Sequence, residues 1–123
     1  MKATAERLAW LRSYYKAMDA LRFEEVADFL DENCTCVFPS GEVISGREPI
    51  LKTTRRALEA LARIRHEVKQ AWEEEHELIF ELKVTYWRRN GETIVRPGMG
   101  VFVLENARVR EQRLFVDASG VWG

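Results

Sequence analysis

TIVRPGMGVFVLENARVREQRLFVDASG, residues 93–120, decides the fold. Its apolar residues recur at a period of two or run on without a break, as they do in a strand rather than a helix. Glu105-Asn106-Ala107 reads as a turn, so the stretch is two antiparallel strands and the bend between them. Pro97, Gly98 and Gly100 interrupt the first strand and predict a bulge or a sharp bend there. The second strand ends at Asp117. That aspartate either does acid/base chemistry or caps the turn before Ser119-Gly120.

Upstream, two more strands precede this pair. RHEVKQAWEEE (65–75) and HELIFELKVTYWRRNGE (76–92) keep the period of two, and Asn90-Gly91 is a strong hairpin signal. Before residue 65 the period is helical. A first helix runs from about Ala3 to Leu21, with Leu8, Leu11, Tyr15 and Met18 on one stripe and Trp10, Tyr14 and Ala17 beside it. DALRFEEVADFLDENC gives a second helix. TCVFPSGEVISG gives two short strands around a Pro-Ser-Gly turn. REPILKTTRRALEALARI gives a third helix, with Pro49 suited to its first turn. Helices first and antiparallel strands after make an α+β fold. Three N-terminal helices should cover one face of a curved, mainly antiparallel sheet and leave a cone-shaped pocket.

The totals narrow the function. A chain of 123 residues defaults to one domain, and a net charge of −1 with no basic stripe argues against a nucleic-acid partner. Cys34 and Cys36 lack Cys or His partners for a zinc site and read as buried reduced thiols. The N-terminal MKATAERLAWLRSYY has no apolar core of a signal peptide, and no run reaches membrane-spanning length, so a cytoplasmic location with no membrane contact is expected. No phosphate-binding glycine loop, nucleophile elbow or metal-binding helix motif occurs, so no cofactor and no metal is expected.

Several residues stand out against these patterns. Ile64, His66, Val68, Gln70 and Trp72 should share one face of the first long strand, which places His66 on an apolar wall. A histidine there either transfers protons near neutral pH or is a hydrogen-bonded core residue. Tyr14 either polarises a carbonyl or simply packs. Arg96 either points inward to bind an anion or pair with an acid, or is solvated on the strand. Trp72, Trp87 and Phe102 either wall a pocket for a flat ligand or pack in the core or at a dimer surface. Phe38 and Gln112 are further candidate binding residues, and if Gln112, Leu114 and Val116 face inward, Asp117 faces out unless the strand end twists.

The order of elements resembles the nuclear transport factor 2-like superfamily, in particular its SnoaL-like branch. YYKAMDALRFEEVADFLDENCTCVFPSG, SGREPI and GVFVLENARVREQRLFVD carry the resemblance over nearly the whole chain. It implies a cone-shaped fold with a pocket for a small apolar molecule. It also implies a homodimer through the sheet. The superfamily includes ketosteroid isomerases, polyketide cyclases and limonene epoxide hydrolases, as well as binding domains, so fold alone does not assign chemistry. Tyr14 matches the isomerases' helix tyrosine, but their base falls at Phe38 and their second donor near Gly100. Asp117 matches the epoxide hydrolases' base, but their arginine and second aspartate fall near Lys83 and Thr85. The expectation is therefore a cofactor-independent cyclase- or isomerase-type enzyme, with Asp117 or His66 as acid/base and Tyr14 as donor. Its rivals are a non-catalytic ligand-binding protein and a homodimeric association domain.

Overall fold

A computed structural model describes residues 1–123. Helix α1 spans Ala5–Asp19 and is capped by Thr4, whose hydroxyl accepts the Arg7 N–H at 3.1 Å. Helix α2 is short, Phe23–Phe29, and α3 spans Arg47–Glu59 with Pro49 in its first turn. The strands are β1 (Leu30–Val37), β2 (Val43–Ser45), β3 (Arg63–Glu74), β4 (Glu77–Trp87), β5 (Thr93–Glu105) and β6 (Arg108–Val116). They form one sheet in the order β2-β1-β6-β5-β4-β3, antiparallel except where β1 and β6 run parallel. The expected α+β cone is the observed architecture. No helix is long and apolar enough to cross a membrane.

Two boundaries differ from the sequence reading. Helix α3 ends at Glu59 instead of running on to Ile64, because Arg63 and Ile64 already belong to β3 and pair with Trp87 and Tyr86. Asp31-Glu32-Asn33 belongs to β1 rather than to the end of α2, because Leu30 already pairs with Val109 of β6. Two of the hairpins, β1–β2 and β4–β5, use the same device. Gly41 N–H donates to Phe38 O at 2.8 Å and Gly91 N–H to Arg88 O at 3.0 Å. Each glycine adopts positive φ, 90° and 92°. This is the three-residue hairpin in which a turn is followed by a left-handed residue.

Alternate residues of β4 (Leu78, Phe80, Leu82, Val84 and Tyr86) face the helices and are buried. Pro97 and Gly98 form no bulge, since the β4–β5 register is unbroken from Trp87↔Thr93 to Glu77↔Val103. The glycines instead make room on the inner face. A Cβ on Gly100 would lie 2.2 Å from the Phe80 ring, and one on Gly98 would lie 2.4 Å from Val116. Phe80 therefore lies across the β5 backbone and packs edge-on against Phe102 at 4.8 Å.

The bulges lie elsewhere. The β3–β4 register shifts between Val68 and Gln70, leaving Lys69 as the extra residue. This overturns the expected alternation along β3. Beyond Lys69, Ala71 turns inward, while Gln70 and Trp72 go to the outer face; there Gln70 donates to Glu81 at 3.1 Å. A one-residue slip moves every later side chain to the opposite face.

β3 is an edge strand, and its free backbone groups are covered. Arg12 donates to Val68 O at 2.9 Å, and the His66 N–H is taken by Asp19 at 2.7 Å. Further along, Ala3 N–H donates to Ala71 O and Glu73 N–H to Met1 O, both at 2.9 Å. The N-terminus and α1 thus close the edge against pairing with another chain.

Gly100→Ala should lower unfolding stability by about 1–3 kcal/mol, because Phe80 is fully buried and cannot move aside without strain. A urea titration would measure it; an unchanged midpoint would mean that the ring is not held against the glycine.

Candidate functional site

Tyr14 and Tyr15 are neighbours on α1, about 100° apart around the helix, and enter different surroundings. Tyr14 goes into the core between Phe29 and Phe102, with ring centroids 5.4 Å away in each case. Its hydroxyl donates to Gln112 Oε1 at a long 3.4 Å. Tyr15 lies flat on the His66 ring, 4.5 Å centroid to centroid. Its hydroxyl is buried and has no hydrogen-bond partner in the protein.

Asp19, one turn after Tyr15, ends the helix. A carboxylate is disfavoured there by the helix dipole, and here it is held by two donors on one residue. Asp19 Oδ2 accepts the His66 backbone N–H at 2.7 Å, and Oδ1 accepts the His66 Nδ1–H at 2.6 Å. A carboxylate can only accept, so the proton on neutral His66 sits on Nδ1 and Nε2 is the basic nitrogen. The two side chains are only 12% and 17% exposed, so the pair is shielded from solvent.

His66 and Tyr15 form part of the wall of a partly open chamber of about 100 Å³ between the helices and the sheet. Thirteen of its 17 lining residues are hydrophobic, so a polar contact inside counts for more than it would in water. Cys36, Phe38, Tyr86 and Gln112 also line it, and Trp122 lies at its outer end. The largest recess on the molecule, about 660 Å³, is a different feature: an open charged groove outside His66, walled by Arg12, Lys16 and Lys69. His66 touches both spaces.

Burial raises the pKa values of Tyr14 and Tyr15 well above the usual phenol range. It raises that of Tyr86 to about 12, with Arg96 pulling slightly the other way. These hydroxyls therefore act as neutral donors at ordinary pH. Burial also pushes the Cys34 thiol up to about 12, and Cys36 higher still, so neither supplies a thiolate. No group of three or more His, Cys, Asp or Glu side chains is placed to hold a metal ion.

The three residues expected to act together are not brought together. His66 reaches the chamber. Tyr14 faces the core, on the other side of α1's inner stripe from Tyr15. Asp117 lies past the end of β6 and caps the tail turn, accepting the Ser119 N–H at 3.0 Å and the Ser119 hydroxyl. Those bonds, the hydroxyl's first, lower its pKa. Of the expected binding residues, Phe38 and Gln112 line the chamber. Phe102 is wholly buried core, and Trp72 is on the sheet's outer face because of the Lys69 bulge. Arg96 is on the inner face but binds the chain itself, donating to Val95 O at 3.2 Å and Ser119 O at 3.3 Å. Asp19, Tyr15, Tyr86 and Trp122 were missed. The one sequence signal for Asp19 was a carboxylate in the last turn of a helix, where the dipole opposes it.

A family model described as a SnoaL-like domain matches residues 11–112. No curated protein matches the sequence. Among solved structures, an NTF2-like protein of unknown function from Burkholderia pseudomallei superposes with a TM-score of 0.83 at 15% identity, covering 94% of each chain. A candidate SnoaL-like polyketide cyclase from Jannaschia sp. gives 0.79 at 15% identity, over 96% of this chain and 90% of that one. An LEH-like epoxide hydrolase from M. tuberculosis gives 0.77 at 13% identity, over 91% of this chain and 83% of that one. At such identities the likeness is one of fold.

The two tyrosines should respond oppositely to loss of the hydroxyl. Tyr15→Phe removes a buried group without a partner and should raise stability by about 1 kcal/mol, whereas Tyr14→Phe strands Gln112 and should lower it by about 0.5–1.5 kcal/mol. Chemical denaturation of both variants would check this; a destabilised Tyr15→Phe would mean that its hydroxyl is satisfied within the protein.

Proposed function

The chain belongs to the SnoaL-like domain family, and from that premise we propose that it is a cofactor-independent enzyme moving protons on a small, largely apolar carbonyl compound held in the chamber. The observation that carries this reading is that His66, held through Nδ1 by Asp19, lines the chamber together with Tyr15, whose hydroxyl is unpartnered.

His66 Nε2 is the base. It takes a proton from the carbon next to the carbonyl, and the Tyr15 hydroxyl donates a hydrogen bond to the oxygen as negative charge gathers there. The imidazolium then returns its proton to a different carbon, giving an isomer, or, once the enolate has attacked a second carbonyl within the molecule and closed a ring, gives it to the alkoxide so formed. Asp19 positions the ring, fixes its tautomer and offsets the imidazolium charge, in the role that a buried aspartate plays beside a histidine base. The apolar walls keep water away from the enolate.

The test is deuterium incorporation next to the carbonyl of a panel of small cyclic ketones and enones in D₂O, followed by NMR. Incorporation by the native protein should fall about 10²–10⁴-fold in His66→Gln. It should fall strongly in Tyr15→Phe and stay near the native rate in Asp117→Asn. Incorporation that survives His66→Gln, or that Asp117→Asn abolishes, would sink this assignment. The rival reading of a ligand-binding protein without turnover predicts binding and no incorporation with any member of the panel.

The chain also fits a homodimer formed through the sheet's outer face. Met99 and Phe115 are directly paired there, at 40% and 57% exposure, with Val95 nearby at 48%, more apolar surface than an isolated sheet face leaves to water without cause. Light scattering at micromolar concentration should report a dimer, and Phe115→Glu should shift it to monomer; a monomeric native protein would exclude this arrangement.

A further inference from the structure

The C-terminal tail places Trp122 in the wall of the chamber and also in the wall of a second recess of about 490 Å³. The two spaces share Phe38, Pro39, Ala57, Val116 and Trp122 as wall. Trp122 is the one of these that belongs to the C-terminal tail, next to the buried Val121. It lies outside the sheet and is 48% exposed. Its indole is held by an Nε1–H bond to Ala57 O at 2.9 Å and an edge contact with Tyr86 at 5.8 Å. Gly120, at φ 78°, and Gly123 flank this segment. The chamber alone has room for only a few heavy atoms, whereas ligand sites usually run to several hundred Å³. Joined to the outer recess it reaches that size.

The two halves differ in charge. The chamber lining carries no Lys, Arg, Asp or Glu, and its buried Tyr15 hydroxyl, on a residue 3% exposed, lacks a partner. The outer recess carries the carboxylates of Glu42 and Asp117 and the hydroxyls of Ser40, Thr53 and Ser119, with no lysine or arginine in its lining. Arg96, on the neighbouring side of the tail, donates to the carbonyls of Val95 and Ser119.

We propose that chamber and outer recess are one ligand site gated by the Trp122 indole, taking a molecule with a small apolar head and a protonated amine at its other end. The head lies against His66 and Tyr15, and the ammonium meets Glu42 and Asp117. Asp117 thus serves in recognition at the mouth rather than in proton transfer. This names the ligand class for the site assigned above, and it shares the premise that the chamber holds the ligand. It does not require His66 to perform chemistry.

The test uses two size-matched probes, 2-phenylethylamine and 3-phenylpropanoate, titrated at pH 7 into ¹⁵N-labelled protein. The Trp122 indole N–H signal is assigned by its loss in Trp122→Phe. The amine should bind about tenfold more tightly than the carboxylate and should move the Trp122 indole signal. Glu42→Gln combined with Asp117→Asn should abolish that preference; both sites are exposed, and the remaining indole signals report that the variant is folded. The proposal is overturned if neither probe binds, if the carboxylate binds as well as the amine, or if the amine binds without moving Trp122. Amine preference with no deuterium incorporation on any ketone would defeat the proton-transfer reading alone. Incorporation with no amine preference would defeat the ligand class alone.

Discussion

A single carboxylate joins the helical layer to the rim of the sheet. Asp19 ends α1 and receives both the backbone N–H and the ring Nδ1–H of His66 on β3. The backbone bond covers an edge group that would otherwise be open to another strand. The ring bond fixes the tautomer and aims Nε2. The same contact therefore closes the fold at its edge and prepares the one histidine that reaches the chamber. A carboxylate at a helix C-terminus runs against the dipole; the two donors on His66 are what make the position tenable.

The shape of the chamber follows from missing side chains as much as from present ones. Gly98 and Gly100 leave space on the inner face of β5, and Val116 and the Phe80 ring fill it. Phe80 in turn supports Tyr15 and Phe102. The Lys69 bulge then shifts the inward alternation of β3 from Val68 to Ala71, so Trp72 faces away from the helices. What remains is an apolar space with few polar groups, and in such a space each polar group carries weight.

The SnoaL-like fold offers a cone and a cavity without dictating what lines them. In this chain the polar groups at the cavity come from several elements: Tyr15 of α1, Thr54 of α3, His66 of the edge strand, Tyr86 of β4 and Gln112 of β6. The final strand also leads into the tail that carries Trp122. His66 and Tyr15 line the chamber, Trp122 lines both it and the outer recess, and Glu42 and Asp117 line the recess alone.

The sequence by itself determined the element types and their order, because periodicity is a local property: 3.6 before residue 65 and 2 after it, punctuated by Asn90-Gly91 and Glu105-Asn106-Ala107. It also singled out His66 as a polar residue on an apolar wall, and Gln112 and Phe38 as candidate binding residues. Only the tertiary structure decided which residues meet. The helical pattern puts Tyr15 on the inward stripe and Tyr14 beside it, but only the packing of α1 on the sheet sends Tyr14 to the core and Tyr15 to the chamber. Asp19 and His66 are 47 residues apart, and no local pattern couples them. The bulge at Lys69 leaves no mark in the alternation, yet it reverses the faces of Gln70 and Trp72. Asp117 is a turn cap rather than a chamber residue because the chain leaves the sheet just before it, and where a strand leaves its sheet is set by its neighbours.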